Sequence, residues 1–187
     1  MSKAQWPFTG TSLKLVEAAA LEFREHGFSG TDSNRIARRA GFAPQTFYRW
    51  FDDKIEIFIA VYRLWQAEEK AALQTLLARD ASDAELVQAG VQHHRDYLLF
   101  RRSLRLLSLE NPVVRQARAE SRLRQIEQIK MWAGKPDADV GVIGAELFKL
   151  ERLTDALAEG ELADMGLDEA PARAAIAQIL AGWRRQA

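Results

Sequence analysis

Apolar residues recur along this chain at spacings of three and four, and alternating runs of β-branched residues hardly occur. A repeat near 3.6 residues gathers such positions on one face of an α-helix, whereas a strand needs alternation by two. With Ala, Leu, Glu, Gln and Arg dominant, the chain reads as all-α. The first helix begins near Thr11, carries Val16, Ala19, Ala20 and Phe23 on one face, and ends at Gly27, a residue suited to a C-terminal cap. Two very short helices follow, about residues 33 to 40 and 44 to 51. A long helix then opens at Asp53, with Glu56 three residues on in a capping-box-like start. Its stripe of Ile55, Phe58, Ile59, Tyr62, Trp65, Ala72, Leu73 and Leu76 continues to about Arg79. Further helices are predicted at about 83 to 99, 101 to 110, 112 to 132, 137 to 160 and 168 to 185, separated by NP, GKPD and the GELADMGLD turn. The expected organisation is a small bundle over residues 1–54 followed by a helical domain over 55–187.

Composition supports a packed protein: 187 residues with 48% hydrophobic content supply a core. The chain has no cysteine, which removes disulfides, thiolate nucleophiles and cysteine-ligated zinc, and fits a reducing compartment. No apolar run approaches the roughly 18 residues of a membrane span, and MSKAQWPFTG lacks the apolar region of a signal peptide, so a cytoplasmic protein without membrane contact is expected. Acidic and basic residues balance at 26 each, so only their distribution speaks to a partner. Residues 33 to 49 hold Arg35, Arg38, Arg39 and Arg49 and no acid, whereas residues 137 to 169 set ten acids against Lys149 and Arg152.

The basic region coincides with an unusual stretch, AGFAPQTFYRWFDDK at residues 40 to 54, too aromatic for a surface helix and too polar for a core one. A helix-turn-helix resolves the mixture. Ile36, Ala37 and Ala40 face inward on the first short helix, Gly41 breaks it, and Phe47 and Phe51 face inward on the second. At 100° per residue the opposite face presents Gln45, Thr46 and Arg49, with Tyr48 and Trp50 at its margins. Those three carry the donors and acceptors that match base edges in a major groove, Arg to guanine and Gln to adenine. Tyr48, Trp50 and Lys54 stand where helix flanks meet phosphates, and Thr31 as N-cap with Ser33 and Asn34 adds donors at a positive helix end. Trp50 has a second reading, closing the small bundle without touching a phosphate.

These residues resemble the tetracycline-repressor (TetR) family. From Thr11 to about Tyr62, roughly a quarter of the chain, a first helix ending in HGF leads into GTDSNRIARRAGFAPQTFYRWFDDK. This segment is similar to the family's T-x-x-x-x-I-A-x-x-A-G-x-x-x-x-x-[LF]-Y-x-[HWY]-F-x-x-K pattern. Ser33 stands where the family commonly has an apolar residue, and Ala43 where Ser or Thr usually caps the recognition helix, giving up about 1 kcal/mol. Pro44 at the first helical position partly compensates, having no amide to orphan.

The resemblance implies a two-fold dimer built on the last two helices, for which Val140, Ile143, Leu147 and Leu150 offer one apolar stripe and Ile176, Ile179, Leu180 and Trp183 another. Packing within one subunit is the alternative for both stripes. It also implies an effector cavity among the middle helices, for which Tyr62, Trp65, His94, Tyr97, Phe100 and Trp132 are candidates, against plain core packing. His93 and His94 point about 100° apart and cannot chelate jointly. Arg101, Arg102 and Arg105, with Arg95, form either a solvated face or a receiver for an anionic effector.

No phosphate loop, HExxH, G-x-S-x-G or metal-ligand set is present, so neither an enzyme nor a cofactor is expected. The expected function is a homodimeric transcription regulator, a repressor, that holds a near-palindromic double-stranded DNA operator and leaves it when a small-molecule effector tilts the long helix. The alternative is a helical adaptor for other proteins, which would need no Gln-Thr-Arg at recognition-helix positions.

Overall fold

The computed structural model describes residues 6–184. The chain divides into two compact units, one made of the chain up to Lys70 with Tyr97–Arg115, the other of Ala71–Asp96 with the chain from Gln116 on. The expected boundary at residue 54 does not coincide with this division. Ile57, Phe58, Val61, Tyr62 and Trp65 of the long helix are buried in one cluster with the front helices, so the hydrophobic core carries the first unit past residue 54.

In the first unit, helix α1 (Gly10–His26) buries Leu15, Val16, Ala19 and Phe23. Helices α2 (Ser33–Arg39) and α3 (Pro44–Trp50) follow, separated by Gly41 at φ +79°, a left-handed conformation that a side chain disfavours. Helix α4 (Lys54–Ala78) starts as expected from Asp53, whose Oδ1 accepts the amide of Glu56 at 2.8 Å. The Glu56 carboxylate reaches back to the amide of Asp52 rather than to that of Asp53. Helix α6 (Leu98–Glu110) completes this unit. Its core is a run of rings, with Phe23 and Phe58 centroids 5.2 Å apart and Phe58 and Phe100 4.8 Å apart. Each fully buried phenyl contributes about 1.5–3 kcal/mol.

The second unit contains α5 (Asp83–Asp96), most of α7 (Pro112–Trp132), α8 (Val140–Glu159), the single turn α9 (Glu161–Asp164) and α10 (Ala170–Arg184). The break between α5 and α6 falls at Tyr97, earlier than expected, and no Gly or Pro marks it. The segment expected as a plain GELADMGLD turn forms α9, and the predicted last residue of the final helix, 185, lies outside the described residues. Asp139 caps α8 by accepting the amide of Val142 at 3.0 Å.

Two expectations are corrected by burial. Ile143, Leu147, Ile176, Ile179, Leu180 and Trp183 are buried in the second unit's own core, with Leu150 packed against it, so these two stripes face each other within one subunit. Only Val140 of the eight expected interface residues is exposed. Arg101 lies on neither a solvated face nor an open receiver: it is 2% exposed on the buried face of α6, its guanidinium 4.7 Å from the centre of the Trp65 ring.

Candidate nucleic-acid interface

The inner side of α3 is set by two rings one helical turn apart. Phe47 and Phe51 are fully buried with centroids 5.8 Å apart, and Ile36 and Ala37 of α2 are buried in the same cluster. Burying that side turns the other outward. Gln45 and Arg49 are exposed and Thr46 is half-buried, and among the described residues none of these three side chains has a hydrogen-bond or ion-pair partner. Tyr48 is half exposed, with its hydroxyl hydrogen-bonded to Ser33 Oγ at 2.8 Å, which ties α3 to α2. Asn34 is exposed, and Trp50 is half-buried and packed against the core.

The inner scaffold is polar where α2 meets α1. Glu22, 4% exposed, accepts the Thr31 hydroxyl at 2.6 Å and lies 3.3 Å from both Arg35 Nε and Arg39 Nη1. Arg39 also forks onto Glu25, whose carboxyl it holds below the usual range. Two of the four arginines of the basic stretch are thus internally neutralised. Arg38 and Arg49 have no ion-pair partner among the described residues, so the available positive charge sits on these two.

Sequence reasoning missed Glu22, although an acid beside the apolar face of α1 and an Arg35/Arg39 pair at i, i+4 are the signal that finds it. Two further assignments change. Asp32, not Thr31, caps α2, its Oδ1 accepting the amide of Arg35 at 2.9 Å, while the Thr31 side chain is buried on Glu22. Lys54 turns inward: Nζ donates to the carbonyls of Phe28 at 2.8 Å and Thr31 at 2.9 Å and lies 4.1 Å from the centre of the Phe28 ring. Burial lowers its pKa, with Asp32 opposing the shift.

Four of the five rings expected to line an effector cavity are core. Tyr62, Trp65, Tyr97 and Phe100 are buried in the first unit, where the Tyr97 hydroxyl donates to Glu68 at 2.7 Å. His94 and Trp132 belong to the second unit. There His94 is buried with Nδ1 2.9 Å from Asp155 Oδ1, and Trp132 is 40% exposed at the end of α7. Among the described residues no group of three or more His, Asp or Glu could hold a metal ion, and no helix is long and apolar enough to cross a membrane.

A short helix braced from beneath by paired phenyl rings, with unpartnered hydrogen-bonding groups outward, defines a helix-turn-helix module. The sequence profile of bacterial regulatory proteins of the tetR family matches residues 15–61. The HTH-type transcriptional regulator YdgC of Bacillus subtilis (strain 168) is 30% identical over 78 residues, which span 42% of this chain and 40% of that protein. In fold, the chain is similar to a TetR-family transcriptional regulator from Mesorhizobium loti, with a TM-score of 0.61 at 18% identity, over 94% of this chain and 96% of that one. It is likewise similar to a transcriptional regulator from Saccharomonospora viridis in complex with choline, with a TM-score of 0.60 at 19% identity, over 90% and 94%. Residues 15–61 thus carry the helix-turn-helix segment of the tetR family, and the chain as a whole has the fold of such regulators: all-α, with an amino-terminal helix-turn-helix and a carboxy-terminal helical domain.

Proposed function

We propose that this protein is a sequence-specific DNA-binding transcription regulator, a repressor that acts as a homodimer and is released from a near-palindromic operator by a small-molecule effector. The observation that carries this reading is the outward set on α3, where Gln45, Thr46 and Arg49 have no partner among the described residues. A polar group matched to base edges and left unsatisfied by its own fold is suited to reading a groove. Ser33, Asn34, Tyr48 and Arg38 flank that set and hold phosphates.

Dimerisation falls to the face of α8 that the chain leaves open. Val142 and Phe148 are 58% and 54% exposed, with the small Ala145 exposed between them, and α10 exposes Ala174 and Gly182. Exposed large apolar residues beside small ones let helices of a second copy approach closely. A dimer would place two α3 helices in successive major grooves about 34–36 Å apart, so an effector that tilts α4 changes their separation and weakens binding. The regulator from Saccharomonospora viridis was solved with choline. It supports the effector half of this reading by analogy of fold alone.

Selection of bound duplexes from a random pool tests the proposal. A two-fold symmetric consensus is expected, and a pool without any enriched sequence would favour an adaptor role instead.

A further inference from the structure

A cleft of about 290 Å³ runs along the start of α4. Its floor is Asp53, Ile55, Glu56, Ile59, Ala60 and Arg63. Phe8 and the α6–α7 joint at Asn111 and Val113 close its sides. None of these residues lies in the ring cluster considered for an effector. The charges are sorted by position: Asp53 and Glu56 stand at one end and Arg63 at the other, and the walls are aliphatic or aromatic apart from Asn111, whose Oδ1 accepts the amides of Val113 and Val114. Glu56 and Arg63 are seven positions apart on the helix, roughly 10 Å along the axis.

Each carboxylate is only half used. One oxygen of Asp53 accepts the Glu56 amide and one oxygen of Glu56 accepts the Asp52 amide. The second oxygen of each, and the Arg63 guanidinium, have no partner among the described residues. A simple alkyl carboxylate paired with Arg63 would drive its methyl end between two carboxylates, and a simple alkylamine would leave the guanidinium facing hydrocarbon. A molecule charged at both ends meets both.

We infer that this cleft binds an aliphatic ω-amino carboxylate, with the carboxylate on Arg63, the methylenes against Ile55, Ile59 and Val113, and the ammonium between Asp53 and Glu56. An extended eight-carbon chain matches the span. The cleft includes the acid that caps α4, two residues beyond Phe51 at the end of α3, so occupancy bears on the pose of the recognition helix. That consequence for DNA rests on the regulator reading, whereas the binding itself does not.

Titration of the full-length protein with 8-aminooctanoate, followed by calorimetry and by NMR of the Ile and Val methyl groups, tests the site. Saturable binding with shifts at Ile55, Ile59 and Val113 is expected. Arg63→Gln and Glu56→Gln are each expected to weaken it by about tenfold or more, and octanoate and octylamine to bind more weakly by a similar factor. The amide of Glu56→Gln still accepts from Asp52, so folding is preserved and melting curves verify it. No saturable binding, undiminished binding by the variants, or equal binding of the singly charged analogues would overturn the site. A protein that binds 8-aminooctanoate but enriches no duplex overturns the regulator reading alone, and the converse overturns this site alone.

Discussion

Lys54 and Phe28 meet twice: the ammonium donates to the Phe28 carbonyl at 2.8 Å and sits 4.1 Å from the centre of the same residue's ring. A second carbonyl, that of Thr31, shares the charge at 2.9 Å. The first residue of α4 thereby pins the loop between α1 and α2. Lys54→Ala is expected to cost about 1–3 kcal/mol in urea unfolding, through loss of charge-assisted hydrogen bonds. The salt slope of DNA binding should stay unchanged, since a phosphate contact would instead lower it by about one.

Glu22 is the corresponding brace on the other side of α2. Replacing it with Ala leaves the buried Thr31 hydroxyl without its acceptor and two guanidinium groups without their shared carboxylate. A loss of about 2–4 kcal/mol is expected in denaturant unfolding. Because Arg35 then loses its ion pair while Arg39 keeps Glu25, non-specific DNA affinity per folded molecule should rise modestly, which fluorescence anisotropy on a random duplex would measure.

Tyr97 supplies a pH dependence. Burial first, and then the hydrogen bond and negative charge of Glu68, push its pKa well above the ordinary phenol value. The folded state therefore keeps a proton that the unfolded chain loses near pH 10, and stability falls as pH rises past that point. The loss for one proton is at most about 1.4 kcal/mol per pH unit. Tyr97→Phe should be less stable at pH 8 but flatter between pH 9.5 and 11, as measured by urea midpoints across that range.

Phe148 tests the open face of α8. Its ring is 54% exposed and carries the Arg122 guanidinium 4.4 Å from its centre. Phe148→Glu should convert a dimer to a monomer in sedimentation while the melting temperature of the monomer changes little. A variant that sediments as the wild type does would remove this face from the interface.

What could be read from the sequence follows from what a repeat encodes. Phe47 and Phe51, four apart beside Gly41, announce a buried turn and hence an outward Gln45, Thr46 and Arg49, and that arrangement is present. A repeat states that a face is buried but not against what, which is why Ile143 and Ile179 read equally as dimer contacts and as the intrachain core they are. Single charges are less legible still. Lys54 at a helix start has the same spacing whether it meets phosphate or two carbonyls, and Arg101 sits on the inner face of α6, where only a neighbouring ring distinguishes it from Arg102. Thr31 and Asp32 are both competent caps, and the competing acceptor on Glu22 decides between them.

Base reading by α3 rests on Arg49, an exposed guanidinium with no partner among the described residues. The most direct measurement compares wild type and Arg49→Ala on the selected duplex and on random DNA at one salt concentration. A loss of about 1–3 kcal/mol is expected on the selected duplex, with a smaller loss on random DNA and relaxed preference at one base pair of each half-site. Equal losses on both duplexes would contradict it.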